Sequence, residues 1–249
     1  MNKIGFLGLS LIGALAASGL SAQPLMLVTG SDYAPFSDEK LPEGGLATEI
    51  VKKAMKLAGV EVQINFFPWK RGYDGTLDGE FAATFPYVPT DERKAAMEYS
   101  DPIVTIRQVV FSAKDKPVLF SAVADLKGKT ICQPIGYALP ADLEPLVANG
   151  EIKREAPKEL DNCGRMLLIG RADFLVGDAF TLGAMFQRIG GVEKIGIGDR
   201  VLDTTYLHLI ASKKAGDTAS VITAFNAGLK QLKDSGEYTR IMTKATGGM

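Results

Sequence analysis

The chain has 249 residues, 28 basic against 29 acidic side chains, a formal charge of −1 and a single histidine. That balance offers no cationic surface for nucleic acid or an anionic membrane, and argues against both as partners. The length suits two modest domains better than one small one.

Residues 1–22 read as a secretory signal peptide. Lys3 supplies the positive start, "IGFLGLSLIGALAASGL" the apolar stretch, and "LSA" before Gln23 the cleavage site. The apolar run is about 17 residues, short for a membrane span. Cleavage would leave Gln23 rather than a cysteine in front, which argues against a lipid anchor, and the expected location is the periplasm.

Strand and helix signals alternate from there. "LMLVTG" reads as a short buried strand, and "SDYAPFSDEKLPEGG" as a loop rich in turn formers. "ATEIVKKAMKLAG" places Ile50, Val51, Ala54, Met55 and Ala58 on one helical face, with Gly59 as its stop. "VEVQINFFP" is a strand, "GYDGTLDGE" a helix or turn, and "FAATF" a short strand. Thr90 before Asp91 and Glu92 is a helix start, but Arg93 in that first turn opposes the helix dipole. A guanidinium in such a place is either a solvated surface charge or aimed at an anion.

A second, similar series begins near Lys114. "LKGKTICQP" is turn then strand, "PADLEPLVANG" helical, and "ELDNCGRMLLIG" a helix ending at Gly170. "ADFLVGD" is a strand ending at Asp178, "AFTLGAMFQRIGG" a helix and "TTYLHLIAS" a strand. "DTASVITAFNAGLKQLKDSG" has Val221, Ile222, Phe225, Leu229 and Leu232 at helical spacing, with Asp217 as cap and Gly236 as stop. The alternation predicts an α/β fold with a largely parallel sheet. Two such lobes imply a cleft, and ligands of α/β sheets sit beyond strand C-termini. Asp32, Tyr33, Phe36, Trp69, Lys70, Arg71, "PYVPTDER", "PIGYA" and Asp178 all follow strands.

Cys132 and Cys163 are the two cysteines. In an oxidising compartment such a pair tends to join, so a structural disulfide is the first reading; two buried thiols or a metal pair remain alternatives. Metal is poorly supported, because no CxxC exists and His208, in an apolar strand, reads as a packed side chain.

With these pieces in order, the chain from Leu25 to Thr243 resembles the periplasmic solute-binding proteins of polar amino acid ABC transporters. The resemblance is carried by "TGSDYAPFS", "GGLATEIVKKAMKLAG", "PWKRGYDGTLDGEF", "TDERKAAMEYSDP", "DLKGKTICQPIGY", "GRADFLVGDAF" and "FNAGLKQLKDSGEYTRIM". It implies the two-lobed type II periplasmic binding fold. Lobe 1 would be 23–110 plus 207–249 and lobe 2 111–206, joined by two hinge strands through "VVFSAK" and "YLHLIAS". It also implies a monomer that closes on a small polar solute, an amino acid, and is read by an ABC transporter permease.

By the same resemblance, Arg93 would grip a ligand carboxylate through a planar bidentate fork, and Asp178 its ammonium group. Asp178 also reads as a helix N-cap, which is compatible with binding. Tyr33 and Trp69 match positions that sandwich the ligand side chain, and Phe36 is equally a core residue. Gly136 and Tyr137 match the loop whose amides meet the carboxylate. Asp32 joins the set from the first loop. Arg71 is either a second anion contact or a solvated charge.

The chain departs from the family at "FPYVP", where Pro86 and Pro89 lack N–H donors and Val88 replaces a hydroxyl. It also departs at "GLATEI", which lacks an acidic position, and at Pro134. No cofactor and no metal are expected, and no paired acid and base marks an enzyme. The alternatives are a periplasmic enzyme on the same fold, such as cyclohexadienyl dehydratase with Asp32, Glu49 or Asp178 as its acid, and a ligand-sensing receptor domain.

Overall fold

The computed structural model describes residues 23–246, so the signal segment expected at 1–22 lies outside the described residues. The first half runs β1 (Leu25–Thr29), α1 (Leu46–Leu57), β2 (Val62–Phe66), α2 (Trp69–Leu77), β3 (Ala83–Tyr87), α3 (Asp91–Ala96), β4 (Met97–Tyr99) and β5 (Val104–Ala113). The second runs β6 (Thr130–Cys132), α4 (Glu144–Ala148), β7 (Lys153–Glu155), α5 (Leu160–Leu168), β8 (Leu175–Asp178), α6 (Ala179–Ile189), β9 (Ile195–Ser212), α7 (Thr218–Asp234) and α8 (Glu237–Thr246).

Helix α1 forms as its periodicity demands. Ile50, Val51, Ala54 and Met55 are fully buried, Glu49 and the lysines face outward, and Gly59 ends the turn at φ 75°. The stretch "GYDGTLDGE" is largely helical, because α2 continues to Leu77. The Asp217 cap expected for α7 is not made. Asp217 accepts instead from the Ser220 hydroxyl, and no side chain caps that end.

The sheet is mixed rather than largely parallel. Strand β1 pairs in parallel with β2 and β3, whereas β9 runs antiparallel to β3, β4 and β5, and β8 antiparallel to β5. The antiparallel members arise because β9 is 18 residues long and returns from one lobe to the other. One core joins α1, α7 and α8 to β1, β3 and the C-terminal part of β9. Two further cores, around Cys132, Cys163 and Phe186 and around Ile131, Leu143 and Phe174, fill the second lobe. Packing changes sides between Ile106 and Val109 on β5, and between Leu202 and Leu207 on β9. These two strands therefore connect the lobes.

Helices α1 and α7 approach so closely that a Cβ on Gly228 would lie 1.8 Å from the Ala54 carbonyl oxygen. In the second lobe, Cys132 on β6 and Cys163 on α5 form a disulfide with a Cα–Cα distance of 5.4 Å. His208 is a packed strand residue: Nδ1 meets the Ser100 carbonyl at 2.7 Å, and burial lowers its pKa. Among the described residues no helix is long and apolar enough to cross a membrane.

Candidate functional site

Strand ends from both lobes converge on one cleft of about 620 Å³, its open mouth included. Tyr33 follows β1, Trp69 opens α2, Tyr87 ends β3 with Val88 just after it, and Arg93 stands in α3. Gly136 and Tyr137 follow β6, and Asp178 ends β8. The position beyond the strand C-termini is where α/β folds expose backbone and side chains to a ligand.

Arg93 is fixed by the local sequence. The Thr90 hydroxyl accepts from the Arg93 amide at 3.2 Å, the helix start expected there. Its Nη1 donates to the Val88 carbonyl at 3.1 Å and its Nη2 to the Gly136 carbonyl at 2.8 Å, across the cleft. The guanidinium lies over the Tyr87 ring, 4.8 Å from its centroid. These bonded partners are carbonyls, so the positive charge is oriented but not neutralised.

Asp178 lines the cleft from the end of β8 and is 4% exposed. It caps α6, accepting from the Thr181 amide at 2.9 Å. Burial pushes its carboxyl above the usual carboxylate range, against the pull of that amide. Burial raises the Tyr33 phenol as well, with the charge of Asp178 adding to it. Burial thus disfavours the charged form of this cap, and a cation placed beside it would offset that cost.

Tyr33, Trp69 and Tyr137 form a mutual edge-to-face cluster with centroids 5.9–6.0 Å apart. Gly30 makes room for it, since a Cβ there would fall 2.3 Å from the Trp69 ring. Phe36 takes its core alternative and is buried against Tyr33.

Asp32 lies behind this cluster and does not line the cleft. It has φ 74° and accepts from Trp69 Nε1 at 2.8 Å, the Tyr137 hydroxyl at 3.3 Å and the Leu160 amide at 3.2 Å. Two of these donors belong to the opposite lobe, so the carboxylate ties the lobes together. Burial raises its pKa, while the three hydrogen bonds oppose the rise. Arg71 also lies away from the lining. Its guanidinium is bidentate to Glu80 and packs over the Phe67 and Phe81 rings.

Among the polar lining residues, Gln108, Gln133 and Thr181 are not read as site residues from the sequence. Gln133 donates to the Ala138 carbonyl at 2.7 Å and stiffens the loop that carries Gly136. Gln108 pairs with Asp178 in the β5–β8 register. A glutamine in the apolar alternation "VTIRQVVF" is its one sequence signal.

Residues 25–248 match the family of bacterial extracellular solute-binding proteins, family 3. Over 237 residues the chain is 25% identical to the L-cystine-binding protein TcyA of Bacillus subtilis (strain 168), covering 93% of this chain and 84% of that protein. Over 232 residues it is 28% identical to a probable histidine-binding protein of Neisseria gonorrhoeae, covering 88% and 81%. The fold matches the arginine-, lysine-, histidine-binding protein ArtJ of Geobacillus stearothermophilus. There the TM-score is 0.73 and the identity 23%, over 90% of this chain and 96% of that one. A family match across nearly the whole described chain, a two-lobed type II fold and a cleft between the lobes lead to one statement: the chain belongs to the bacterial extracellular solute-binding proteins, family 3.

Proposed function

We propose that this protein captures a small solute bearing a carboxylate and an ammonium group, an amino acid, between its lobes and delivers it to the permease of an ABC importer. In this reading lobe 1 is 23–110 plus 207–249 and lobe 2 is 111–206, and the hinge lies where packing changes sides on β5 and β9. The protein is exported by the segment 1–22 and works as a monomer outside the cytoplasm. It binds without chemical change and without a cofactor.

The observation that carries the reading is that Arg93 and Asp178 line the same cleft. Arg93 comes from α3 and Asp178 from the end of β8, so a zwitterion between them would bond both lobes and favour closure. Arg93 would meet the carboxylate, with the Gly136–Tyr137 loop beside it. Asp178 would meet the ammonium. Tyr33, Trp69 and Val88 would bound the side chain. Asp32 and Arg71 act outside the contact surface, Asp32 through Trp69 and Tyr137.

A thermal-shift screen of the amino acids tests this. A ligand at 100 times its Kd stabilises the native state by about 2.7 kcal/mol. Arg93→Ala should weaken the best ligand by at least about 2 kcal/mol, the lower range for removing one member of a desolvated charge pair. Unchanged affinity by calorimetry, in a variant that unfolds at the wild-type midpoint, rejects the assignment of Arg93.

A further inference from the structure

The charge inventory of the cleft limits which solute it can hold. Among the described residues that line it, Arg93 is the one cation and Asp178 the one carboxylate. An amino acid's own backbone charges use both. A basic side chain would then need a second buried anion, and an acidic one a second buried cation. The other nearby carboxylate, Asp32, is already held by Trp69, Tyr137 and Leu160.

Two lining side chains hold a buried oxygen without a hydrogen bond, Gln108 and Thr181, and the Thr181 hydroxyl lies within the α6 turn that Asp178 caps. Gln108 is 8% exposed, and its Oε1 is buried with no hydrogen bond. The alternation of β5 turns it to the same side as Ile106, and the β5–β8 register sets it beside Asp178. A buried amide oxygen without a donor is costly, and a ligand N–H or O–H relieves that cost. Ile106, Val176, Leu182 and Leu207 supply the apolar part of the lining around it.

We propose that the solute is an amino acid with an uncharged side chain carrying a hydrogen-bond donor, an amide or a hydroxyl, and that Gln108 is the residue that selects it. This rests on the solute-binding reading above. A site that hydrogen-bonds a ligand donor rejects the analogue lacking it strongly, because its own polar group is then buried unpaired.

The test is calorimetric titration of glutamine, asparagine, serine and threonine against arginine, lysine, glutamate, aspartate, valine and methionine. The expected result is that one of the first four binds at least ~100-fold tighter than any charged amino acid. Gln108→Leu should narrow the preference for that ligand over its apolar counterpart (threonine over valine, glutamine over methionine) by at least ~10-fold. Gln108→Glu places an anion at the same point and should raise the affinity for lysine or arginine; it reads the site even if the leucine variant fails to fold. Tightest binding of a charged or apolar amino acid by the wild type overturns this proposal and leaves the solute-binding reading standing. Selectivity unchanged in folded Gln108→Leu, or in Gln108→Glu, overturns the role of Gln108. Failure of the folded wild type to bind any amino acid overturns the ligand reading itself.

Discussion

Asp32→Asn separates the contact between the lobes from the contact with ligand. Asparagine tolerates the φ of 74° at this position, so the backbone need not move. The carboxylate now accepts from three donors, Trp69 Nε1, the Tyr137 hydroxyl and the Leu160 amide. Either orientation of an asparagine amide sets its NH2 against an N–H, that of Leu160 or that of Trp69. A hydrogen bond to a charged group contributes about 1.5–3 kcal/mol, and a buried donor left unpaired costs about 1–3 kcal/mol. Removing a carboxylate whose pKa is raised by burial returns part of this. The net loss to the lobe-contact form is then about 1.5–2.5 kcal/mol, and opening of the lobes relieves it because water reaches both groups. Ligand affinity should fall by about 10–70-fold at this free energy. Calorimetry with the tightest amino acid reads the affinity, and small-angle scattering of the liganded variant reads the lobe separation. An affinity within about twofold of wild type, with an unchanged unfolding midpoint, would refute the role of Asp32 as a tie between lobes.

Three more outcomes follow from the packing and charge. Reduction of Cys132–Cys163, 31 residues apart, should cost about 3.7 kcal/mol in urea unfolding by the chain-entropy model, and two free thiols counted in the untreated denatured protein would contradict the disulfide. Gly228→Ala should destabilise by at least about 2 kcal/mol despite alanine's better helix propensity, since its Cβ would meet the Ala54 carbonyl; a higher denaturation midpoint would show that α1 and α7 can part freely. Asp178 has a folded-state pKa above its unfolded value. Its contribution to stability is therefore full below the usual carboxylate range and is lost as pH rises through the raised value. Asp178→Asn keeps a cap, so its stability should fall less between pH 4 and 7 than that of the wild type, while ammonium-bearing ligands bind about 100-fold or more weakly. A parallel pH profile for the two proteins would count against the buried-charge account.

The sequence is most legible where one period or one cap dictates the outcome. The buried face of α1, the stop at Gly59, the Thr90 cap and the strand ending at Asp178 are local features, and the chain realises each of them. The Arg93 oddity is also legible, because a cation in the first turn needs a non-local reason. Long-range pairings are not. Nothing in "IGIGDRVLD" announces that it continues into "TTYLHLIAS" as one strand, and that continuity makes the sheet mixed. Asp32 looks like a ligand contact by position, and only the assembled lobes place Leu160 and Tyr137 against it. Gln108 is silent for a related reason: what gives it meaning is Asp178 beside it in register, 70 residues on in the chain.

The pairing of β5 with β9 brings Ala113 opposite Ile195. The intervening chain thus leaves and re-enters at a single place, as a cassette with adjoining ends. Exchanging residues 114–194 between relatives would carry Gln133, Gly136, Tyr137 and Asp178 across together, and leave Tyr33, Trp69, Arg93 and Gln108 behind. On the proposed reading of the cleft, recognition is a two-key arrangement, with each key exchangeable as a block. A change of preferred solute can arise by swapping one block, without rebuilding the other wall residue by residue.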